Sequence, residues 1–295
     1  MKARQTIAIS GATGFIGSQL CAHFVQQGYR VIGLCRSLPL AALKDVEYRQ
    51  FNLENNPDTN LFKDATIFIH CAYLKGEEAK IINIEGTKQM LQATRNAGVK
   101  KNIFFSSMSA HPAALSAYGQ QKLQLEKEFY GPDDAVIRPG LVIGKGGLFL
   151  EMVKHIQSKG IIPLIDGGTQ PLYSIHISDL LKATEIIVSK NLNGTFTVAE
   201  LTPVLYRDFY KELAKTLNKK VLMVNISYTL LEKLLLLTKL LGLKIGVGKE
   251  NLLGLKALRT FEFKDDLKKL GFVPRNYKHT LKLFYNSPKR AAFLF

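Results

Sequence analysis

The chain has 295 residues, of which 46% are hydrophobic, and its formal net charge is +16. This length can form one large α/β unit with a smaller lobe, but no apolar run reaches the roughly 20 residues that a membrane-spanning helix needs. Cys21, Cys35 and Cys71 have neither paired nor metal-like spacing, which disfavours a disulfide scaffold or a cysteine-ligated metal and favours a reducing, cytoplasmic location.

The first predicted strand runs into a glycine-rich turn and then a helix. Residues 7–17 read Ile-Ala-Ile-Ser-Gly-Ala-Thr-Gly-Phe-Ile-Gly. Gly11 can take a tight turn, Gly14 lets backbone N–H groups approach a pyrophosphate, and Gly17 lets the helix pack on the strand. The helix N-terminus adds unpaired donors and a positive dipole end. The predicted dinucleotide contacts here are Gly11, Thr13, Gly14, Phe15, Ile16 and Gly17.

The G-x-x-G-x-x-G spacing resembles that of the short-chain dehydrogenase/reductase superfamily, in particular its extended and atypical, epimerase/dehydratase-like branches. The resemblance runs from about Thr6 to Val198. It implies a Rossmann-type α/β fold, a doubly wound parallel sheet with a smaller C-terminal substrate lobe, and the alternation of strand and helix patterns agrees. We expect a dinucleotide-binding domain over residues 1–145 with returning segments at about 171–200, and a substrate-side lobe over 146–170 and 201–295.

The second strand bears on the choice of cofactor. It is predicted from Tyr29 to Leu34 and is followed by Cys35 and Arg36. Relatives that use NAD often carry an aspartate at the place of Cys35, where it would bind the ribose hydroxyls. Arg36 instead offers a guanidinium fork suited to a 2′-phosphate, although a solvated loop arginine is the alternative. We therefore expect NADP(H) to be preferred, with NAD(H) as the alternative cofactor.

The resemblance implies further cofactor contacts at the ends of later strands. Asn52 and Leu53 stand where the family often has Asp-Leu near the adenine. Cys71 and Ala72 follow an apolar strand and are small enough for the backbone to pass close to the cofactor. Pro139 lies in an Arg-Pro-Gly turn that would adjoin the nicotinamide.

The catalytic candidates are Ser107, Tyr118 and Lys122. Ser107 follows the apolar strand Ile103–Phe105, with Ser109 as its competitor. Tyr118 and Lys122 match the family's Tyr-x-x-x-Lys, and a separation of four places both on one helix face. We expect the Lys122 ammonium to lower the phenol pKa from its usual value of about 10. The resemblance makes Tyr118 the acid/base, Lys122 the ligand of the nicotinamide ribose and Ser107 the residue that orients the substrate.

Asn83 completes the predicted catalytic set. It opens an N-x-x-G-T pattern in a helix predicted from Glu77 to Ala97. That pattern is similar to the family's asparagine, which helps to order the lysine and a water molecule. The alternative is an exposed polar residue on the helix.

Two other polar residues are interpreted as structural. His70 ends the apolar strand at 67–70, and we expect it to hold the following turn rather than act as an acid or base. Ser178 and Asp179 precede a helix predicted from Leu180 to Val188. We expect one of them to cap that helix and interpret Asp179 chiefly as the structural cap.

The last third of the chain carries most of the positive charge. Residues 207–295 contain 19 Lys+Arg and 7 Asp+Glu, so +12 of the +16 lies there. Within it, Tyr228 to Leu243 is rich in leucine. We favour a buried lid or core helix, and the alternative is a membrane-surface helix or the entrance for a hydrophobic substrate. Nucleic acid is a disfavoured partner, because the basic residues are not interleaved with aromatics.

Together these features predict an NADP-preferring oxidoreductase or epimerase. It would transfer hydride to or from a carbonyl or alcohol on a small-molecule substrate, either a nucleotide sugar or a hydrophobic compound, with Tyr118 as acid/base. The alternative is a catalytically silent NADP(H)-binding scaffold or redox sensor at the membrane periphery. The short separation of Ser107 and Tyr118, eleven residues as in atypical members, favours that alternative.

Overall fold

The centre of the molecule is a seven-stranded parallel sheet in the order β11-β6-β5-β4-β1-β2-β3. It is seen in a computed structural model that describes residues 5–76, 78–233 and 249–286. Its strands are β1 (Thr6–Ser10), β2 (Arg30–Cys35), β3 (Val46–Gln50), β4 (Ile67–His70), β5 (Lys101–Phe105), β6 (Ala135–Pro139) and β11 (Gly194–Val198). The predicted Rossmann-type α/β fold is confirmed.

Helices cover both faces of this sheet. They are α1 (Phe15–Gln26), α2 (Ala79–Asn96), α3 (Ala117–Glu126), α5 (Ile177–Ser189) and α9 (Lys264–Leu270). Successive strand residues point to opposite faces. In β1, Ile7 and Ile9 join the core under α1, α5 and α9, whereas Ala8 joins the core under α2. Burial on both faces explains why the inner strands are continuous apolar runs rather than alternating ones.

A second lobe follows β6 and has its own core. It contains β7 (Leu141–Ile143), α4 (Gly147–Lys159), β8 (Ile161–Ile165), β9 (Pro171–Leu172), β10 (Ser174–His176), β12 (Val204–Leu205), α6 (Tyr206–Thr216), β13 (Leu222–Ile226), the described part of α7 (residues 228–233), α8 (Lys249–Lys256) and α10 (Tyr277–Asn286). Phe149, Phe209 and Leu281 are buried together in this core.

The C-terminal region contributes residues to the cores of both units. Phe263, Leu267 and Leu270 are buried in the core of the seven-stranded sheet. The Thr197 N–H also donates to Asp266 Oδ2 at 2.9 Å, which ties α9 to β11. The segment around α9, expected within the substrate-side lobe, therefore packs on the nucleotide-binding unit.

Helix α5 begins earlier than predicted. It starts at Ile177, and its cap is His176, whose Nδ1 accepts from the Ser178 N–H at 3.2 Å. Asp179 is buried and accepts hydrogen bonds from the backbone N–H and the Nε of Arg275, both at 3.0 Å. The prediction of Asp179 as a cap was wrong, because a distant arginine binds its carboxylate.

Only the beginning of the leucine-rich segment lies among the described residues, and 234–248 lie outside them. In α7, Leu231 is buried against Ile165 and Leu252, whereas Leu230 is exposed. Within the described part of the chain, no helix has the length and apolar character required to cross a membrane. The alternatives for this segment stay predictions.

Candidate active site

The glycine turn between β1 and α1 forms a close-packed cradle. Gly11 has a φ of +67°, and a Cβ on Gly17 would lie 2.1 Å from the Gly11 carbonyl oxygen. In the first hydrogen bond of α1, the Ser18 N–H donates to the Gly14 carbonyl at 2.9 Å. The preceding N–H groups of the first turn therefore have no acceptor within the helix, and the N-cap residue, Gly14, has no side chain to cap them. A pyrophosphate fits this position, with Thr13 and Gly14 exposed beside it.

Phe15 connects this cradle with the second lobe. A Cβ on Gly146 would lie 2.5 Å from Phe15 Cγ, and a Cβ on Gly144 would lie 2.7 Å from Phe15 Cζ. The glycine stretch after β7 is thus pressed against the Phe15 ring, whereas Ile16 is half-buried among core residues of the sheet. Sequence reasoning assigned Phe15 to the cofactor alone and missed this contact between the lobes.

Arg36 lies just beyond the carboxyl end of β2. Its side chain is exposed, and its carbonyl accepts from Gln50 Nε2 at 3.1 Å. No hydrogen bond or ion pair of its guanidinium is found within the described ranges. Cys35 is buried. The end of β2 therefore presents an exposed guanidinium at the edge of the sheet where the glycine turn lies.

Asn52 and Leu53 follow β3 at the same edge of the sheet. The Asn52 amide donates to Glu54 Oε2 at 3.1 Å. Leu53 is buried, and its carbonyl oxygen would lie 2.4 Å from a Cβ on Gly86. Leu53 thus packs closely on α2, and Asn52 keeps a polar side chain at the surface beside it.

His70 positions the loop that carries Cys71 and Ala72. The Ser10 hydroxyl accepts from the N–H groups of Cys71 and Ala72 at 3.2 and 3.3 Å and lies 2.7 Å from His70 Nδ1. His70 Nε2 lies 2.9 Å from Thr87 Oγ1. Burial lowers the pKa of His70 to about 3, so it stays neutral. These contacts fit a structural role and bring Ala72 N to 3.0 Å from a Cβ built on Gly11.

Asn83 holds the same loop from α2. Its Oδ1 accepts from the Leu74 N–H at 2.8 Å, and its Nδ2 donates to the Leu74 carbonyl at 2.9 Å. Both functions of the buried amide are engaged, and neither reaches Lys122. These contacts tie Asn83 to the loop, and the expected ordering of the lysine and a water molecule by Asn83 stays a prediction.

Ser107 and Tyr118 meet at the carboxyl end of the sheet. Tyr118 is the second residue of α3, and its ring meets the ring of Tyr73 edge-on with centroids 5.1 Å apart. Burial raises the pKa of the Tyr118 phenol, and a hydrogen bond with the Ser107 side chain lowers it. Tyr118 is 37% exposed, so its side chain is only partly buried. Ser109 contributes its main-chain N–H, which donates to Ser107 Oγ at 3.1 Å.

Lys122 is buried and directed at the main chain. Its Nζ donates to the Phe105 carbonyl at 2.7 Å and lies 4.5 Å from the centroid of the Phe104 ring. Burial lowers the pKa of Lys122 to about 8, against the opposing influence of Cys71 and Glu126. The prediction that Lys122 depresses the pKa of Tyr118 was wrong. The phenol pKa is raised, and the group that lowers it is Ser107.

A half-buried ion pair lies one helical turn beyond Lys122. Glu126 accepts from Arg138 Nε at 2.8 Å and from the Ser106 hydroxyl. Arg138 precedes Pro139, whose carbonyl accepts from the Met108 N–H at 3.1 Å. Sequence reasoning missed Glu126, although its spacing of four from Lys122 places it on the same helix face. The pair joins α3 to β6 beneath the predicted catalytic residues.

Comparison with known proteins identifies the relatives of this chain. The model of the NAD dependent epimerase/dehydratase family matches residues 7–199. A ceramide reductase of Caulobacter vibrioides is 29% identical over 188 residues, which are 60% of this chain and 59% of that protein. A dTDP-4-dehydro-6-deoxy-D-allose reductase of Streptomyces bikiniensis is 24% identical over 234 residues, 62% of this chain and 72% of that protein. The chain thus spans about three fifths of the ceramide reductase.

The fold resembles solved structures over nearly its whole length. The structure of MoeE5 in complex with UDP-glucose and NAD superposes with a TM-score of 0.74, covering 97% of this chain and 99% of that chain at 19% identity. At this identity the likeness establishes the fold alone. The relatives and neighbours include reductases, epimerases and dehydratases.

Proposed function

Because this chain belongs to the NAD dependent epimerase/dehydratase family, we propose that it is an NADP-preferring oxidoreductase that interconverts a carbonyl and an alcohol. One observation carries the proposal: Lys122 Nζ lies 5.9 Å from the centroid of the Tyr118 ring, and Ser107 follows the carboxyl end of β5, at the edge of the sheet that also holds the glycine cradle. Ligands of doubly wound sheets bind at this edge. Both curated relatives described above are reductases by name, which favours reduction over epimerisation.

The proposed chemistry divides between two side chains. Tyr118 donates its phenolic proton to the substrate oxygen during reduction and takes it back during oxidation. Its raised pKa keeps the phenol protonated at neutral pH, so the proton to be donated is present. Ser107 orients that oxygen and stabilises charge on the phenol through its hydrogen bond. A bound nicotinamide supplies or accepts the hydride.

The cofactor would be held by three parts of the chain. The first-turn N–H groups of α1 would bind the pyrophosphate, and the Arg36 guanidinium would bind a 2′-phosphate. The buried Lys122 ammonium would bind the nicotinamide ribose. The loop at Cys71 and Ala72 adjoins Gly11, which supports its expected place beside the cofactor.

The names of the relatives suggest two substrate classes. The solved neighbour holds a UDP-sugar, and one curated relative is a dTDP-sugar reductase, whereas the other acts on ceramide by name. We therefore propose either a keto group on a nucleotide sugar or one on a long-chain lipid. The rate of NADPH oxidation, measured with a dTDP-4-keto sugar and with a long-chain keto lipid, distinguishes the two substrate classes.

The test of the proposed function is Tyr118→Phe. Loss of the phenolic proton should lower turnover by about two to four orders of magnitude, the usual scale of general acid–base catalysis, and leave NADPH affinity unchanged. Tyr130→Phe, at an exposed tyrosine beyond α3, is the matched control. Unchanged turnover in Tyr118→Phe would contradict the proposal. Tight NADPH binding without turnover of any substrate would support the silent scaffold instead.

A further inference from the structure

The first turn of α3 is held by a residue from the far end of the chain. Glu250 Oε2 accepts from the backbone N–H of Ala117 at 2.7 Å, across a separation of 133 residues. The local cap is Ser116, whose Oγ accepts from the Gly119 N–H at 3.2 Å. A helix begins with four N–H groups that lack intrahelical acceptors. Two of these groups in α3 are satisfied, one locally and one by the second lobe.

Helix α8, which carries Glu250, is anchored in the second lobe. Leu252 is 1% exposed and packs with Ile165 and Leu231. On the side facing α3, a Cβ on Gly254 would lie 4.0 Å from Ser116 Oγ. One face of α8 thus packs on the second lobe while the other lies over the start of α3.

The bond from Glu250 reaches the residue next to the proposed acid/base. The Ala117 N–H belongs to the peptide unit that joins Ser116 to Ala117, directly before Tyr118, so holding it restrains the start of the helix from which the phenol projects. Glu250 also contributes to the raised pKa of Tyr73, whose ring contacts Tyr118. The pKa of Tyr118 itself is raised by burial and lowered by Ser107. Glu250 therefore bears on where Tyr118 lies rather than on its ionisation.

We propose that Glu250 is a positioning residue that couples the docking of α8 to the placement of Tyr118 beside Ser107. A carboxylate is well suited to this place, because negative charge is favoured at a helix N-terminus and the bond to the N–H is charge-assisted. The inference rests on the proposed function for the role of Tyr118. The contact itself can be tested without turnover.

The experiment observes Tyr118 by fluorine NMR in the full-length chain labelled with 3-fluorotyrosine. The Tyr118 resonance is assigned as the one that disappears in Tyr118→Phe. Glu250→Ala should shift or broaden the Tyr118 resonance, and Glu250→Gln, which keeps an acceptor oxygen, should restore it. Hydrogen exchange over residues 116–119 should accelerate by roughly fivefold in Glu250→Ala, the equivalent of the ~1 kcal/mol typical of a helix cap. Glu262→Ala, at an exposed glutamate after α8, is the control.

Tyr228 provides an internal standard for α8. The Lys256 Nζ lies 3.9 Å from the centroid of its ring, so a general loosening of α8 would move the Tyr228 resonance as well. A change at Tyr118 with Tyr228 unmoved, reversed in the glutamine variant, supports the inference. Movement of both resonances, or no change at Tyr118, would overturn it. If Tyr118→Phe turns over normally while Glu250→Ala still moves Tyr118, the proposed function fails and the positioning contact stands.

Discussion

We expect the choice of cofactor to depend on Arg36. Its guanidinium is exposed beyond β2 and has no partner in the part of the chain that the structure describes. Hydrogen bonds to charged groups contribute about 1.5–3 kcal/mol, so Arg36→Ala should weaken NADPH binding by roughly 10- to 100-fold. NADH binding should change little, because NADH lacks the 2′-phosphate.

Calorimetric titration of both cofactors measures this preference. Arg36→Lys is the matched control, since it keeps the charge and loses the planar fork. It should fall between the wild type and the alanine variant. Equal affinities for NADPH and NADH in the wild type would contradict the assignment.

Lys122 should make cofactor binding depend on pH. Burial lowers its pKa from 10.5 to about 8, so its ammonium is present below pH 8 and is lost as the pH rises through that value. We expect NADPH affinity to fall above pH 8, and Lys122→Met to bind weakly with no such fall. Fluorescence titration between pH 6 and pH 9.5 measures it. A flat wild-type profile would remove the ammonium from cofactor binding.

The same shift affects stability in the opposite direction. Because the folded pKa lies below the unfolded one, the cost of burying the ammonium is present in full below about pH 8 and is relieved as the pH rises toward 10.5. The contribution of Lys122 to the free energy of unfolding should therefore become more favourable in that window. Comparison of wild type and Lys122→Met by urea unfolding at pH 7 and pH 9.5 isolates it.

At the scale of elements, the turn between β1 and α1 has no room for a side chain at Gly17. A Cβ there would lie 2.1 Å from the Gly11 carbonyl oxygen, so either the helix or the turn must move. Gly17→Ala should lower the free energy of unfolding by about 1–3 kcal/mol, the usual cost of overpacking, although alanine favours helix. It should also weaken NADPH binding.

Urea unfolding of Gly17→Ala beside Gln26→Ala measures this effect. Gln26 is exposed at the end of the same helix, and its substitution should change stability by no more than about 0.5 kcal/mol. Equal stability of the two variants would show that the turn can relax, contrary to the close packing of α1 on it.

At the scale of the whole molecule, most of the positive charge lies in the last third, beside the leucine-rich segment. Leu231, at its start, is buried against Ile165 and Leu252. We therefore expect cover by protein and no flotation with either neutral or anionic vesicles. Salt-sensitive flotation with anionic vesicles, lost in Leu236→Ser/Leu237→Ser without unfolding, would establish the membrane-surface alternative instead.

Local spacing in the sequence determined the nucleotide-binding unit and its catalytic candidates. The glycines at 11, 14 and 17 predict the turn, because the demands of a tight turn and a close helix act within a few residues. Tyr118 and Lys122 fall on one helix face for the same reason, since a helix repeats about every 3.6 residues. The apolar strands and their parallel direction follow from the alternation of strand and helix patterns.

Only the tertiary structure decided what those side chains touch. Lys122 binds the Phe105 carbonyl, Asp179 binds Arg275, and Glu250 binds Ala117. These partners lie 17, 96 and 133 residues apart, beyond any local pattern. The pKa values follow the same rule, because burial and folded neighbours set them. The sequence thus determined which groups are present at the site. The folded chain decided the pKa values of these groups and the partners that their side chains contact.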